Sequence, residues 1–385
     1  MPVVAAPVIR DDVALRAIAP ADWNALTGGQ PFLSHAFLTA LGTTGCAVPR
    51  TGWSPHFLTA WRGDSLVGAL PLYAKAHSYG EYVFDWGWAE AYRRHGRRYY
   101  PKLVAAIPFT PVPGPRVLSA EASVRRALLE QALEFVRRGE YSSLHLLFPP
   151  DAEAAEGEAL GMIPRQGVQF HWTNPGYRDF ADFLAAFAHD KRKKVKQERR
   201  RLAAAGVTFE RKLGRDVTAA EWAFFFRCYE GTYVAHHSTP YLTPEFFAEI
   251  GRTLADHVLL VVGSRDGQRL CAALDVFDAG TLWGRYWGTT EYLSGLHFEA
   301  CYYQAIEFCI EQRIERFEGG AQGLHKLARG LRPVATHSLH AVGDRAFAAP
   351  IADFCERERL DVSHSLHELE SSSPFRNGAG PDPVA

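Results

Sequence analysis

Residues 63–73 read GDSLVGALPLY and residues 267–277 read GQRLCAALDVF. Gly63, Leu66, Ala69 and Leu70 fall opposite Gly267, Leu270, Ala273 and Leu274 at one constant spacing. Farther on, Tyr99-Tyr100 within RRYYPKLVAAI meets Tyr302-Tyr303 within ACYYQAIEFCI at a spacing one residue shorter. Two matches held in register over some forty residues are what two copies of one folding unit leave after a single-residue indel. The chain therefore reads as a duplication.

Working outward from 267–277, HVLLVVGSRDGQRLCAALDVFDAGTLWGRYWGTT predicts three strands joined by turns at Arg265-Asp266-Gly267 and Asp278-Ala279-Gly280. TAAEWAFFFRCYEGTYVAHHS and a helix opened by Thr243-Pro244-Glu245 precede them. HFEACYYQAIEFCIEQRI follows as a helix, then ERFEGGAQG as a strand entering a Gly-rich loop. Upstream, FADFLAAFAHDKRKKVKQERRRLAAAG reads as helical throughout up to Gly206, where the strand VTFERKL starts.

The first copy opens with short helices at IAPADWNALTG and SHAFLTALGTTG, the second capped by Ser34. The strands HFLTAWR and SLVGALPLYAKA follow, then the aromatic stretch YGEYVFDWGWAEAY and a helix at YYPKLVAAIPF with Pro101 near its start. FTPVPGPRVL is too proline-rich for a helix. Val124, Leu128, Leu129, Ala132, Leu133 and Val136 recur at helical spacing. SSLHLLFP reads as a buried strand and VQFHWTNPGY as an exposed or edge strand. Helices, antiparallel meander, helix and strand in each half indicate an α/β (α+β) fold with mixed, mostly antiparallel sheets, not a doubly wound one. The expected boundaries are 10–175 and 176–360, with a disordered tail at 369–385.

The length of 385 residues also favours two domains. With 47% apolar and 22% charged residues the composition is globular, and no run approaches the ~20 apolar residues of a membrane helix. The N-terminus lacks a basic region followed by an apolar block, so no secretory signal is read. Six cysteines without a CxxC pair suggest reduced buried thiols in a cytoplasmic protein. His236-His237 points its rings about 100° apart with no third ligand, so no metal site is expected. Net charge is −1, yet residues 191–201, KRKKVKQERRR, carry eight basic side chains and one Glu. Such a block calls for a local anionic partner.

The duplicated order resembles the tandem GNAT fold of Fem-type acyltransferases. More specifically, GEYVFDWGWAEAYRRHGRRYYPKLVAAIPFTPVPGPR, SSLHLLF, GVQFHW, PYLTPEFF, GRYWG, LHFEACYYQAIEFCIE and FEGGAQGLHKLARG resemble the bacterial FemAB-like predicted N-acyltransferases of peptidoglycan biosynthesis or recognition, over roughly residues 10–360. The resemblance implies an aminoacyl-tRNA donor, as in Fem enzymes, or acyl-CoA, as in GNAT enzymes. Neither is a tightly bound cofactor. The acceptor would be an amine of an envelope precursor or small molecule. GNAT sheets splay after their fourth strand, where backbone N–H groups meet the acyl carbonyl. By resemblance that strand is TLWGRYWGTT in the second unit and YVFDWGWAEA in the first.

Acyl transfer to an amine needs a base, oxyanion donors and an acid for the leaving group. His297 and Glu299 are competent bases, Tyr302 and Tyr303 possible acids, and Arg285, Tyr286 and Trp287 sit on the expected splay. The alternative is that the aromatics are core, His297 a packing residue and Glu299 a helix-end charge. In FEGGAQGLHKLARG, Glu318, Gln322 and His325 are candidate substrate contacts, and Lys326 and Arg329 lie three apart to hold phosphate. On the basic helix Val195 and Leu202 share a packing stripe, leaving Arg192, Lys194 and Arg199 for phosphate or tRNA, with no base-reading motif and no expected DNA partner. Glu81, Asp85, Trp86, Tyr99, Tyr100 and Lys102 read either as the wall of a polar-ligand groove or as an interface between units. A non-catalytic tandem scaffold that binds tRNA or an envelope precursor is the competing class.

Overall fold

The computed structural model describes residues 5–321, 323–371 and 373–376. The described residues divide into two compact units, one formed by those up to Gly167 with Ala335–His364, the other by those of Val168–Val334 and from Ser365 on. The expected cut at 175/176 ignored the return of 335–364. That segment belongs to the first unit because Ser338–Val342 pairs antiparallel along Ser143–Leu147.

In the first unit, β1 (Val8–Arg10), β3 (Leu58–Arg62) and β4 (Ser65–Leu70) form a small antiparallel sheet, while β2 (Trp53–Pro55), β5 (Tyr73–Lys75), β6 (Lys102–Ala105) and β7 (Ser143–Leu147) line up separately, β6 and β7 in parallel. The helix Ala122–Arg137 buries the six apolar residues its spacing predicts. Two expectations fail here. YVFDWGWAEA is not a strand: Trp86–Arg94 is helical, supported by Glu90 pairing with Arg93 and Arg94. YYPKLVAAIPF is not a helix: Lys102–Ala105 is fully buried between two strands, where the ladder and burial of both faces override local propensity. Consequently the Tyr99-Tyr100 and Tyr302-Tyr303 match is not structural, because one pair lies in a loop and the other in a helix. The hairpin match stands.

In the second unit the strand order is β9 (Val207–Leu213), β10 (Val258–Arg265), β11 (Gln268–Phe277), β12 (Thr281–Thr289), β13 (Arg316–Glu318), then β8 (Ile163–Thr173) through its later residues. All neighbours are antiparallel except β12 and β13. Gln169–Trp172 of β8 is buried, so this strand is not exposed as expected. The basic segment is two helices, Phe180–Ala185 and His189–Ala204, not one. The break follows from Phe187 bridging to Phe375 and from Ala188 N–H donating to the Pro374 carbonyl. The same contacts order residues 374–375 of the expected tail, and the helix Arg345–Ser371 takes in its start; 377–385 lie outside the described residues. Val195 and Leu202 are buried as the stripe predicts.

Candidate active site

β12 pairs with β13 only through Thr281, Leu282 and Trp283. Beyond Trp283 the register with β13 ends, so the two strands part at Gly284, within the stretch GRYWG where the resemblance places a splay. On its other edge a β-bulge intervenes: Leu274 pairs with Tyr286 and Asp275 with Gly284, so Arg285 has no opposite residue. A bulge re-aims side chains locally. Gly288 lets the helix Ala219–Ala235 approach, since a Cβ there would meet the Cys228 carbonyl oxygen at 1.9 Å. The Thr232 hydroxyl then donates to the Trp287 carbonyl at 2.8 Å.

These features enclose a cavity of about 100 Å³ lined by Asp275, Arg285, Trp287, His297, Tyr302 and Gly319, among others. His297 lies 4.5 Å from Trp287 and 5.4 Å from Tyr302, ring centre to ring centre. Burial, helped by His325, Arg329 and Lys326, brings its imidazole down to about 4. It is therefore neutral near pH 7 and free to accept a proton. The Tyr302 hydroxyl hydrogen-bonds His325 Nε2 at 3.1 Å, and burial raises the pKa of its phenol, holding it neutral. The backbone delivers this geometry through a π-helical turn at Glu299–Tyr303, inserted between Leu296–Phe298 and Gln304–Gln312. Such turns redirect side chains on a helix.

Not every candidate converges on this cavity. Glu299 is tied to Arg199 at 2.9 Å and to Gln304 at 2.8 Å. It lines a second, wider cavity of about 750 Å³ with Phe180, Arg199 and Glu307. Tyr303 donates to Glu198, and Arg329 also holds Glu198, at 3.0 Å, while lying 3.3 Å over the Phe298 ring. Tyr286 lines the first cavity and packs edge-on to Tyr229. Glu318 is buried 3.6 Å from Arg285; burial pushes its carboxyl up to about 7 against the pull of Arg285 and Arg316. Lys326 donates to the Gly320 carbonyl at 3.1 Å, and burial, with Arg285, brings its ammonium down to about 8. Arg192 is half-buried and Lys194 exposed on the basic helix. Gln322 lies outside the described residues.

The first unit's candidates form something different. Lys102, with no exposed surface, contacts Glu81 at 2.8 Å, Ser78 at 3.0 Å and Asp85. Tyr99 donates to Asp85 at 2.6 Å, and the Tyr100 hydroxyl meets Ser78 at 2.8 Å. Trp86 is 40% exposed and stands apart from this cluster, against Tyr79. Sequence reasoning missed Lys75, equally buried and 3.8 Å from Glu81, and the pair His145–His340, whose Nδ1 atoms lie 2.6 Å apart. It also missed Asp275. A charged or imidazole side chain inside an apolar strand, as in YAK, LHLL or ALDVF, was the available signal.

A family model described as peptidoglycan biosynthesis/recognition matches residues 14–377. The chain belongs to the FemAB-like family. FemX superimposes on this FemAB-like chain with a TM-score of 0.56 at 12% identity, covering 87% of this chain and 98% of FemX. L-PGS from Bacillus licheniformis does so with a TM-score of 0.53 at 12% identity, covering 88% and 96%. Both likenesses concern the fold. The FemAB-like sequence has no significant match among curated proteins. No described helix is long and apolar enough to cross a membrane.

Proposed function

We propose that this FemAB-like protein transfers an acyl or aminoacyl group from acyl-CoA or aminoacyl-tRNA to an amine, on an envelope precursor or small molecule, in the second unit's cavity. The observation that carries this reading is the parting of β12 from β13 beyond Trp283, beside a cavity lined by a neutral imidazole and a phenol. In the reaction the amine nitrogen attacks the carbonyl carbon. A C–N bond forms, the bond from the carbonyl carbon to the carrier's sulfur or oxygen breaks, and one proton passes from the amine to the leaving group.

His297 takes the amine's proton, and Tyr302, backed by His325, protonates the departing carrier. Glu299 and Tyr303, engaged elsewhere, support the helix that carries His297 and Tyr302. Lys326 and the exposed cations of His189–Ala204 hold the carrier's phosphates. The melting temperature with and without saturating acetyl-CoA tests the donor first: occupancy at 100 times Kd stabilises the fold by about 2.7 kcal/mol. A rise supports the CoA carrier, and no rise directs the same measurement to charged tRNA. The residue assignment fails if His297→Ala and Tyr302→Phe retain full turnover with the donor that binds.

A further inference from the structure

Asp275 is the one carboxyl group among the described residues that line this cavity, and it is only 1% exposed. Among the described residues its Oδ2, shut away from solvent, has no hydrogen-bond partner. A buried carboxyl oxygen left without its hydrogen bond destabilises a fold. A fold that keeps one beside a cavity is offering it to a ligand.

The register explains how it comes to face the opening. Asp275 pairs with Gly284 at the bulge, where β12 has just left β13. A Cβ on Gly284 would stand 3.4 Å from Asp275 Oδ1 and 3.0 Å from the Phe317 ring. The glycine thus leaves room in front of the carboxyl at the mouth of the splay. Trp287, His297 and Tyr302 occupy other walls of the same cavity.

We propose that Asp275 contacts the reacting group itself, its carboxyl O–H donating a hydrogen bond to the carbonyl oxygen of the acyl group. The assignment rests on the acyl-transfer reading and adds to it the residue that recognises the acyl carbonyl. Complete burial raises the Asp275 carboxyl well above the usual carboxylate range, against the opposing pull of Arg285. A carboxylic acid kept neutral in an apolar site is a competent donor to a developing oxyanion. The O–H proton stays on Asp275 throughout; the proton that moves is the amine's. Any hydrogen bond made in the ground state strengthens as the carbonyl oxygen gains charge.

The test compares loaded with empty carrier: acetyl-CoA against CoA, and lysyl-tRNA against uncharged tRNA, on wild type, Asp275→Asn and Asp275→Leu. Wild type is expected to bind the loaded form of its carrier about 3–10-fold more tightly than the empty form, the worth of one hydrogen bond. Asp275→Asn keeps that ratio because an amide N–H donates in the same place. Asp275→Leu abolishes it while leaving the empty carrier's affinity unchanged. Leu replaces an unpaired carboxyl by an apolar group of similar size, and equal or higher melting temperature verifies its fold. If Asp275→Leu preserves the ratio, the contact does not exist. If Asp275→Asn loses turnover as fully as Asp275→Leu, Asp275 is an ionised base and the donor role falls. If neither carrier binds wild type, the acyl-transfer reading fails and this contact fails with it.

Discussion

Both units bury polar groups but use them in opposite ways. In the first, Lys102, Glu81, Asp85, Tyr99, His145 and His340 are joined hand to hand. Burial pushes Asp85 up, but the Lys102 ammonium more than reverses this and brings it to about 2. Burial alone dominates at Lys75 and Glu81, moving both to about 7 from opposite sides. In the second unit Asp275, His297 and Tyr302 line a cavity; burial keeps His297 neutral and raises the Asp275 carboxyl well above the usual carboxylate range. A network shut away from solvent fixes a fold, whereas polar groups around an opening are available to a ligand. The lesson is that density of polar residues in sequence does not locate a site. Their access to an opening does.

The largest effect that sharpens this contrast is on stability. Lys102→Met leaves Glu81 and Asp85 buried without their cation and is expected to cost about 3–5 kcal/mol. Arg285→Met in the second unit is expected to cost clearly less, because Glu318 sits at about 7 and takes up a proton readily once Arg285 is gone. Urea unfolding of both variants measures this, and equal losses would erase the distinction between the units.

Next in size is activity. His297→Ala is expected to lower kcat by roughly 10²–10⁴-fold, the usual range for losing a positioned base, with the melting temperature nearly unchanged. Tyr99→Phe in the first unit should do the reverse: loss of its bond to Asp85 lowers stability and leaves turnover intact. A Tyr99→Phe protein that melts normally but turns over slowly would move the reacting centre to the first unit.

These outcomes bear on what the sequence could and could not convey. The hairpin motif, the caps at Ser34 and Thr243 and the apolar stripe of Ala122–Arg137 were legible because each is set by local chemistry. GRYWG and the helix after it were picked out through the family resemblance, and both line the cavity. The helix at Trp86–Arg94 was misread because the strand was carried over from the resemblance, and the strand at Lys102–Ala105 because its parallel pairing to Ser143–Leu147 is non-local. The separation of Glu299 from His297 depends on a π-helical turn that no residue pattern announces. Asp275 and Lys75 were hidden by burial, which sequence periodicity reports for apolar side chains and not for charged ones.

A third prediction concerns pH. His145 is brought down to about 3 by burial and by Lys102, and His340 is held well below its ordinary value for the same reasons with His145 added. A histidine with a depressed folded pKa adds stability that is complete above its unfolded value, about 6.5, and is lost as pH falls toward the folded value. Glu81, raised by burial, works the other way between its ordinary value and about 7, so part of the loss is offset. His340→Gln should therefore flatten the dependence of unfolding free energy on pH below 6.5 by up to about 1.4 kcal/mol per unit. Denaturant midpoints between pH 7 and 5 measure it. An unchanged slope would mean the pair is already open to protons in the folded state.

The smallest expected effect lies on the basic helix. Lys193 and Lys194 are exposed and Arg199 turns inward to Glu299 and Glu307. Reversing Lys193 and Lys194 to Glu should change stability by no more than about 0.5 kcal/mol, since surface charges away from partners contribute little. Whatever these cations do is therefore done for a ligand. If they hold a carrier's phosphates, KM rises, kcat stays, and the slope of log affinity against log salt falls by about one for each phosphate no longer neutralised. A tRNA touches many phosphates and CoA few, so the size of that slope in wild type separates the two carriers even before either is seen bound. An unchanged KM and slope would confine the basic face to solvent and leave carrier binding to Lys326 and the cavity mouth alone.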